Sequence, residues 1–129
     1  MPTSRKSPRL SDLQVQIMNV VWGLGEATVA EVWKELSKHR PIARNTVQTM
    51  LVRLEERGWL RHRADGNTFI YKPAVARSRA LRQMVRRLVD TAFAGSAEGL
   101  VMALLDGRGV SAQEAARIRR LIEKEEKGP

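Results

Sequence analysis

The stretch ARNTVQTMLVRLEERGWL, Ala43 to Leu60, decides how the rest of the chain is read. Val47, Met50, Leu51 and Leu54 recur at helical spacing, which predicts a helix with one buried apolar face that ends at Gly58. Its other face opens with Asn45, Thr46, Gln48 and Thr49. A helix that merely meets water would carry Lys and Glu there, for propensity and solubility. Short uncharged donors and acceptors at a helix start either cap and solvate it, or face a partner that is itself dense in hydrogen-bonding groups.

Two more helices are predicted upstream. Ser11 is placed to cap the first, whose apolar residues Leu13, Ile17, Val20, Val21 and Leu24 repeat at three or four before Gly23 or Gly25 ends it. Thr28 and Glu31 have capping-box spacing at the head of the second, with Val29, Val32, Trp33 and Leu36 as its buried stripe. Pro41 separates that helix from the quoted one. Downstream the period changes. Leu60, His62 and Ala64 alternate with Arg61 and Arg63, Asp65-Gly66-Asn67 turns the chain, and Thr68 to Lys72 returns it with Phe69 and Tyr71 on one face. Pro73 ends the strand. Trp22, Trp33 and Trp59 occupy expected core positions.

Three helices followed by a basic β-hairpin is the layout of a winged helix-turn-helix. Beyond Pro73 the pattern is helical again: Leu81, Met84, Val85, Leu88 and Ala92 share a face, with Arg79, Arg82 and Arg86 opposite. Ser96 heads a segment with Leu100, Val101, Leu104 and Leu105 that stops at Asp106-Gly107, and Ser111 with Glu114 heads another with Ile118, Leu121 and Ile122. These helices are too short and one-sided to stand alone, so the same segment of a second chain is their expected cover, in a two-fold dimer. The expected fold is therefore mostly α with a small β-hairpin wing. The expected divisions are a disordered basic arm over 1–9, a winged-helix domain over 10–73 and a helical dimerisation domain over 74–129.

Charge points to the partner. The 129 residues hold 23 Lys plus Arg and 14 Asp plus Glu, a net charge of +9. Residues 1–72 carry 12 basic and 7 acidic groups and residues 73–129 carry 11 and 7, so the excess is spread over both halves. A polyanion is the implied partner, nucleic acid first and an anionic membrane surface second. Without cysteine the chain has neither disulfide nor thiolate chemistry, and no run reaches the apolar length of a membrane span, so a cytoplasmic protein with no stable membrane association is expected. Enzymatic chemistry finds no support. The two histidines, His39 and His62, match no metal or triad spacing, and no glycine-rich phosphate loop occurs. No cofactor and no metal are expected.

In a helix-turn-helix the third helix lies in the major groove, its N-terminal residues nearest the base edges. Asn45 and Gln48 can each make paired hydrogen bonds with adenine, and Thr46 and Thr49 can offer a hydroxyl or a methyl, at about 1–3 kcal/mol of discrimination per good pair. Arg44 can read guanine or hold a phosphate, while Arg53 and Arg57 suit backbone contacts. Arg61 and Arg63, with Asn67 at the hairpin tip, form a wing able to straddle the backbone or enter the minor groove, although two exposed arginines also suit an edge strand avoiding aggregation.

The chain resembles the penicillinase-repressor family of bacterial winged-helix transcriptional regulators, the BlaI/MecI/CopY type. The resemblance runs from about Leu10 to Glu123 and rests on Leu10-Ser11, Ile17-Met18, Val21-Trp22 with Gly25, Thr28-Val29, Glu31-Val32, Thr46-Val47 with Leu51, Arg53-Leu54, Gly58 and Tyr71-Lys72-Pro73. It implies a homodimer on a palindromic double-stranded DNA operator, repressing neighbouring genes, often for antibiotic resistance. It also implies release by proteolysis of the dimerisation region, signalled by a membrane sensor metalloprotease. The cleavage region falls on Leu100 to Leu104, at Ala103 and Leu104. Gln14 stands where the family commonly has Glu, and the cysteine cluster of the copper-responsive branch is absent. Readings outside DNA regulation are a protein-interaction module and a ligand-responsive winged helix.

Overall fold

A computed structural model describes residues 9–128. Most of the basic arm expected over 1–9 lies outside the described residues. The order of elements is α1 (Asp12–Leu24), β1 (Ala27–Thr28), α2 (Val29–Ser37), α3 (Arg44–Glu56), β2 (Leu60–Asp65), β3 (Thr68–Pro73), α4 (Arg77–Ala92), α5 (Ala97–Gly107) and α6 (Ala112–Lys127). The chain divides into two compact units, one up to Leu81 and one from Arg82.

The first unit owes its helix boundaries to local chemistry. The Ser11 hydroxyl accepts from the Gln14 amide at 3.2 Å and the Gln14 side chain accepts from the Ser11 amide at 3.0 Å, so Gln14 completes the box that starts α1. Gly25, at φ 88°, closes the same helix with its N–H on the Val21 carbonyl, a conformation that glycine adopts without strain. Thr28 and Glu31 form an equivalent box for α2. At the hairpin tip Gly66 has φ 65° while Asn67 keeps a negative φ, the pattern of a two-residue type II′ turn.

Ile17, Met18, Val21, Val32, Val47, Leu51 and Leu54 of the three helices are sealed from solvent, and Ala27, Leu36, Trp59, Leu60, Tyr71 and Ala80 complete the core. The helical spacing seen in the quoted stretch thus marks the buried side of α3, with Met50 at its margin. Leu51→Ala should cost about 2–5 kcal/mol in urea unfolding, since a void at the centre of a close-packed core loses both transfer energy and contacts.

Three expectations need correction. The sheet has three strands, in the order β1-β3-β2, because Ala27 and Thr28 pair with Tyr71 and Ile70 as well as leading into α2. Leu24 is half exposed, at the last position of α1, where the helix gives way to the turn at Gly25. Trp33 is 37% exposed rather than a core residue, because its indole N–H turns outward to the Ile42 carbonyl at 2.8 Å and ties α2 to the turn before α3. Trp22 does similar work with the Val75 carbonyl, at 2.9 Å.

In the second unit, Ser96 caps α5 through the Gly99 amide and Ser111 caps α6 through the Glu114 amide. The Glu114 carboxylate does not close a box. It lies 3.8 Å from Arg108 instead. No residue of α5 or α6 is buried, and Val101, Met102, Leu105, Leu121 and Ile122 are about half exposed or more.

Candidate nucleic-acid interface

α3 presents two chemically different sides. Val47, Leu51 and Leu54 are buried, while Arg44, Asn45, Thr46, Gln48, Thr49 and Arg53 are all exposed. The polar side chains therefore share the outer face of a helix whose inner face is fixed by the core. The start of α3 lacks a side-chain cap, since its N-cap residue is Ala43, and the first backbone bonds run from the Thr46 and Val47 amides to the Ala43 carbonyl. The amides of Arg44 and Asn45 precede those bonds, as the opening donors of any helix do.

Arg57 behaves differently from Arg53. It is half-buried and its guanidinium donates to Gln14 Oε1 at 3.4 Å, which turns it toward α1 and away from the outer face. Here the sequence reading missed the inward partner. A second link joins Arg40, in the connection between α2 and α3, to Gln16 of α1 at 3.3 Å.

The hairpin pairs Arg61 with Lys72, Arg63 with Ile70 and Asp65 with Thr68 on one face, and His62 with Tyr71 and Ala64 with Phe69 on the other. Arg61, Arg63 and Asn67 are all exposed. Arg63 lies 3.1 Å from Glu26. His62 Nδ1 lies 2.7 Å from the Glu55 carboxylate of α3, and its ring stacks on Phe69 with centroids 4.1 Å apart. Burial, and then the neighbouring Glu55 charge, raise the Tyr71 phenol above its ordinary pKa of 10.0. Glu26 went unnoticed as a site residue because Arg63 lies 37 residues further on, and Glu55 because His62, in the next element, comes back to α3 only through the turn between them.

The arginines at 79, 82 and 86 are all exposed on α4. Of the residues expected to dimerise, Leu100 and Ile118 are partly covered and Val101, Leu104, Leu105, Leu121 and Ile122 are exposed, as is Ala103 beside Leu104 within α5. Among the described residues no group of three or more His, Cys, Asp or Glu could hold a metal ion, and no single helix is long and apolar enough to cross a membrane.

Three helices, with a polar outer face on the third and an antiparallel hairpin behind it, define a winged helix-turn-helix protein. The chain belongs to the penicillinase repressor family, whose model matches residues 10–124. It is 29% identical to the penicillinase repressor of Bacillus licheniformis over 92% of this chain and 93% of that protein. It is 30% identical to the transcriptional regulator BlaI of Mycobacterium tuberculosis over 95% and 89% respectively. Among solved structures, the DNA-binding domain of the repressor BlaI superposes with a TM-score of 0.51 and 39% identity, covering 55% of this chain and 87% of that one.

Proposed function

We propose that the protein is a sequence-specific, DNA-binding transcriptional repressor that acts as a homodimer on a palindromic operator. The observation that carries this is the outer face of α3, where Asn45, Thr46, Gln48 and Thr49 stand exposed while Val47, Leu51 and Leu54 anchor the helix from behind. Those four side chains read base edges in the major groove, Arg44 reads guanine or holds a phosphate, and Arg53 grips the backbone. The wing, through Arg61 and Asn67, follows the adjacent strand. Membership of a repressor family supports the same reading.

The apolar residues of α5 and α6 find cover in a second copy, which holds two reading heads about 34 Å apart, one turn of the duplex. Severing that region ends repression. Ala103 and Leu104 are accessible there, but they lie inside a helix, so a sensor metalloprotease must first unwind α5 to reach an extended strand of chain.

Footprinting the full-length protein on the DNA upstream of its own gene, at low and high salt, tests the core of the reading. A protected palindrome whose occupancy falls steeply with salt is the expected result. Diffuse, sequence-blind protection would reduce the protein to a non-specific binder.

A further inference from the structure

The two arginines of β2 leave the strand on the same face and meet different surroundings. Arg61, opposite Lys72, has no side-chain partner among the described residues. Arg63 reaches past β3, the middle strand, and its guanidinium lies 3.1 Å from a carboxylate oxygen of Glu26, which directly precedes β1. On the opposite face, His62 Nδ1 stands 2.7 and 2.9 Å from the two Glu55 oxygens while its ring rests on Phe69. The hairpin is therefore tied on both faces to earlier parts of the chain. Glu55 belongs to α3 itself, and Glu26 to the turn between α1 and β1.

Resting on the DNA-binding reading, we propose that the Glu55–His62 and Glu26–Arg63 ties fix the angle of the wing relative to α3. His62 and Arg63 are then positioning residues, and Arg61 supplies the phosphate contact from β2. A carboxylate at 3.1 Å cancels much of the field that Arg63 would show to a polyanion, because a close pair of opposite charges is felt beyond about 10 Å only as a screened dipole. Arg61 keeps its full charge. The His62 and Glu55 side chains are only 32% and 31% exposed, and ring stacking limits where the imidazole can go, so this tie is the more rigid of the two. Exposed pairs such as Glu26–Arg63 add little to folding stability, and their removal acts on geometry while the fold persists.

The protein is first used to select a duplex from a random pool, and the enriched duplex is then titrated across salt concentrations with Arg61→Gln, the double variant Glu26→Gln with Arg63→Gln, His62→Ala and His62→Gln. Arg61→Gln is expected to reduce the salt slope by about one. Glu26→Gln combined with Arg63→Gln, which removes the tie without baring either charge, is expected to weaken binding by up to about fivefold with its slope unchanged. His62→Ala should weaken binding about tenfold, again with the slope unchanged, through loss of a hydrogen bond to a charged group. His62→Gln, whose amide can still donate to Glu55, should recover most of that loss. A slope change for the Glu26→Gln, Arg63→Gln double variant equal to that for Arg61→Gln overturns the proposal, as does wild-type binding by His62→Ala. If the unmodified chain enriches no sequence at all, the DNA-binding reading itself fails and the proposal goes with it.

Discussion

Replacing Asn45 and Gln48 together by alanine is expected to remove much of the preference for the operator while leaving general attraction to DNA in place. Both side chains are exposed on the outer face of α3 and neither touches the core, so the variant should fold as the parent does. Each well-made pair with a base contributes about 1–3 kcal/mol of discrimination, so two of them together amount to at least about 30-fold in affinity for the operator. Binding to an unrelated duplex depends on the arginines, and it should change little. Comparing the double variant on operator and on scrambled duplex measures this directly. An unchanged ratio between the two would show that α3 does not read sequence.

The larger effect is expected from charge placed in the second unit. Leu105→Asp combined with Leu121→Asp sets a carboxylate on each of the two helices whose apolar residues are uncovered in the single chain. In a dimer those positions are desolvated, and burying an unpaired charge is far costlier than removing a methyl group. Sedimentation should therefore report a monomer. With the heads unlinked, the second no longer benefits from the local concentration that the first creates, and operator affinity should fall by a factor of about 10² or more. Half-operator binding should be unaffected, because the variant leaves α3 and the wing as they were. A variant that stays dimeric, or a monomer that keeps full operator affinity, would count against dimerisation as the switch.

Where sequence reasoning succeeded, the signal was local. Val47, Leu51 and Leu54 repeat within one helix, so their burial and the exposure of Asn45 and Gln48 follow from a single period. Gly25 and Gly66 mark turns because few other residues adopt their conformation. What escaped the reading was tertiary. β1 is only two residues long, too short to show any alternation, and it becomes a strand because Tyr71 and Ile70 offer partners from far along the chain. Trp33 has the spacing of a core residue, yet the turn before α3 draws its indole to the surface. Arg57 reads as a candidate backbone contact until Gln14 appears beside it, and Glu55 reads as an ordinary solvated acid until the hairpin folds His62 over it. Spacing finds faces, whereas partners across the fold determine what those faces are used for.

Ala43 leaves the first turn of α3 without a cap. A serine or aspartate in its place would tighten the helix by about 1 kcal/mol. Its side-chain oxygen would accept from an amide of the first turn, which alanine leaves without a side-chain acceptor. The start of α3 is therefore held by the core residues behind it rather than by a cap of its own.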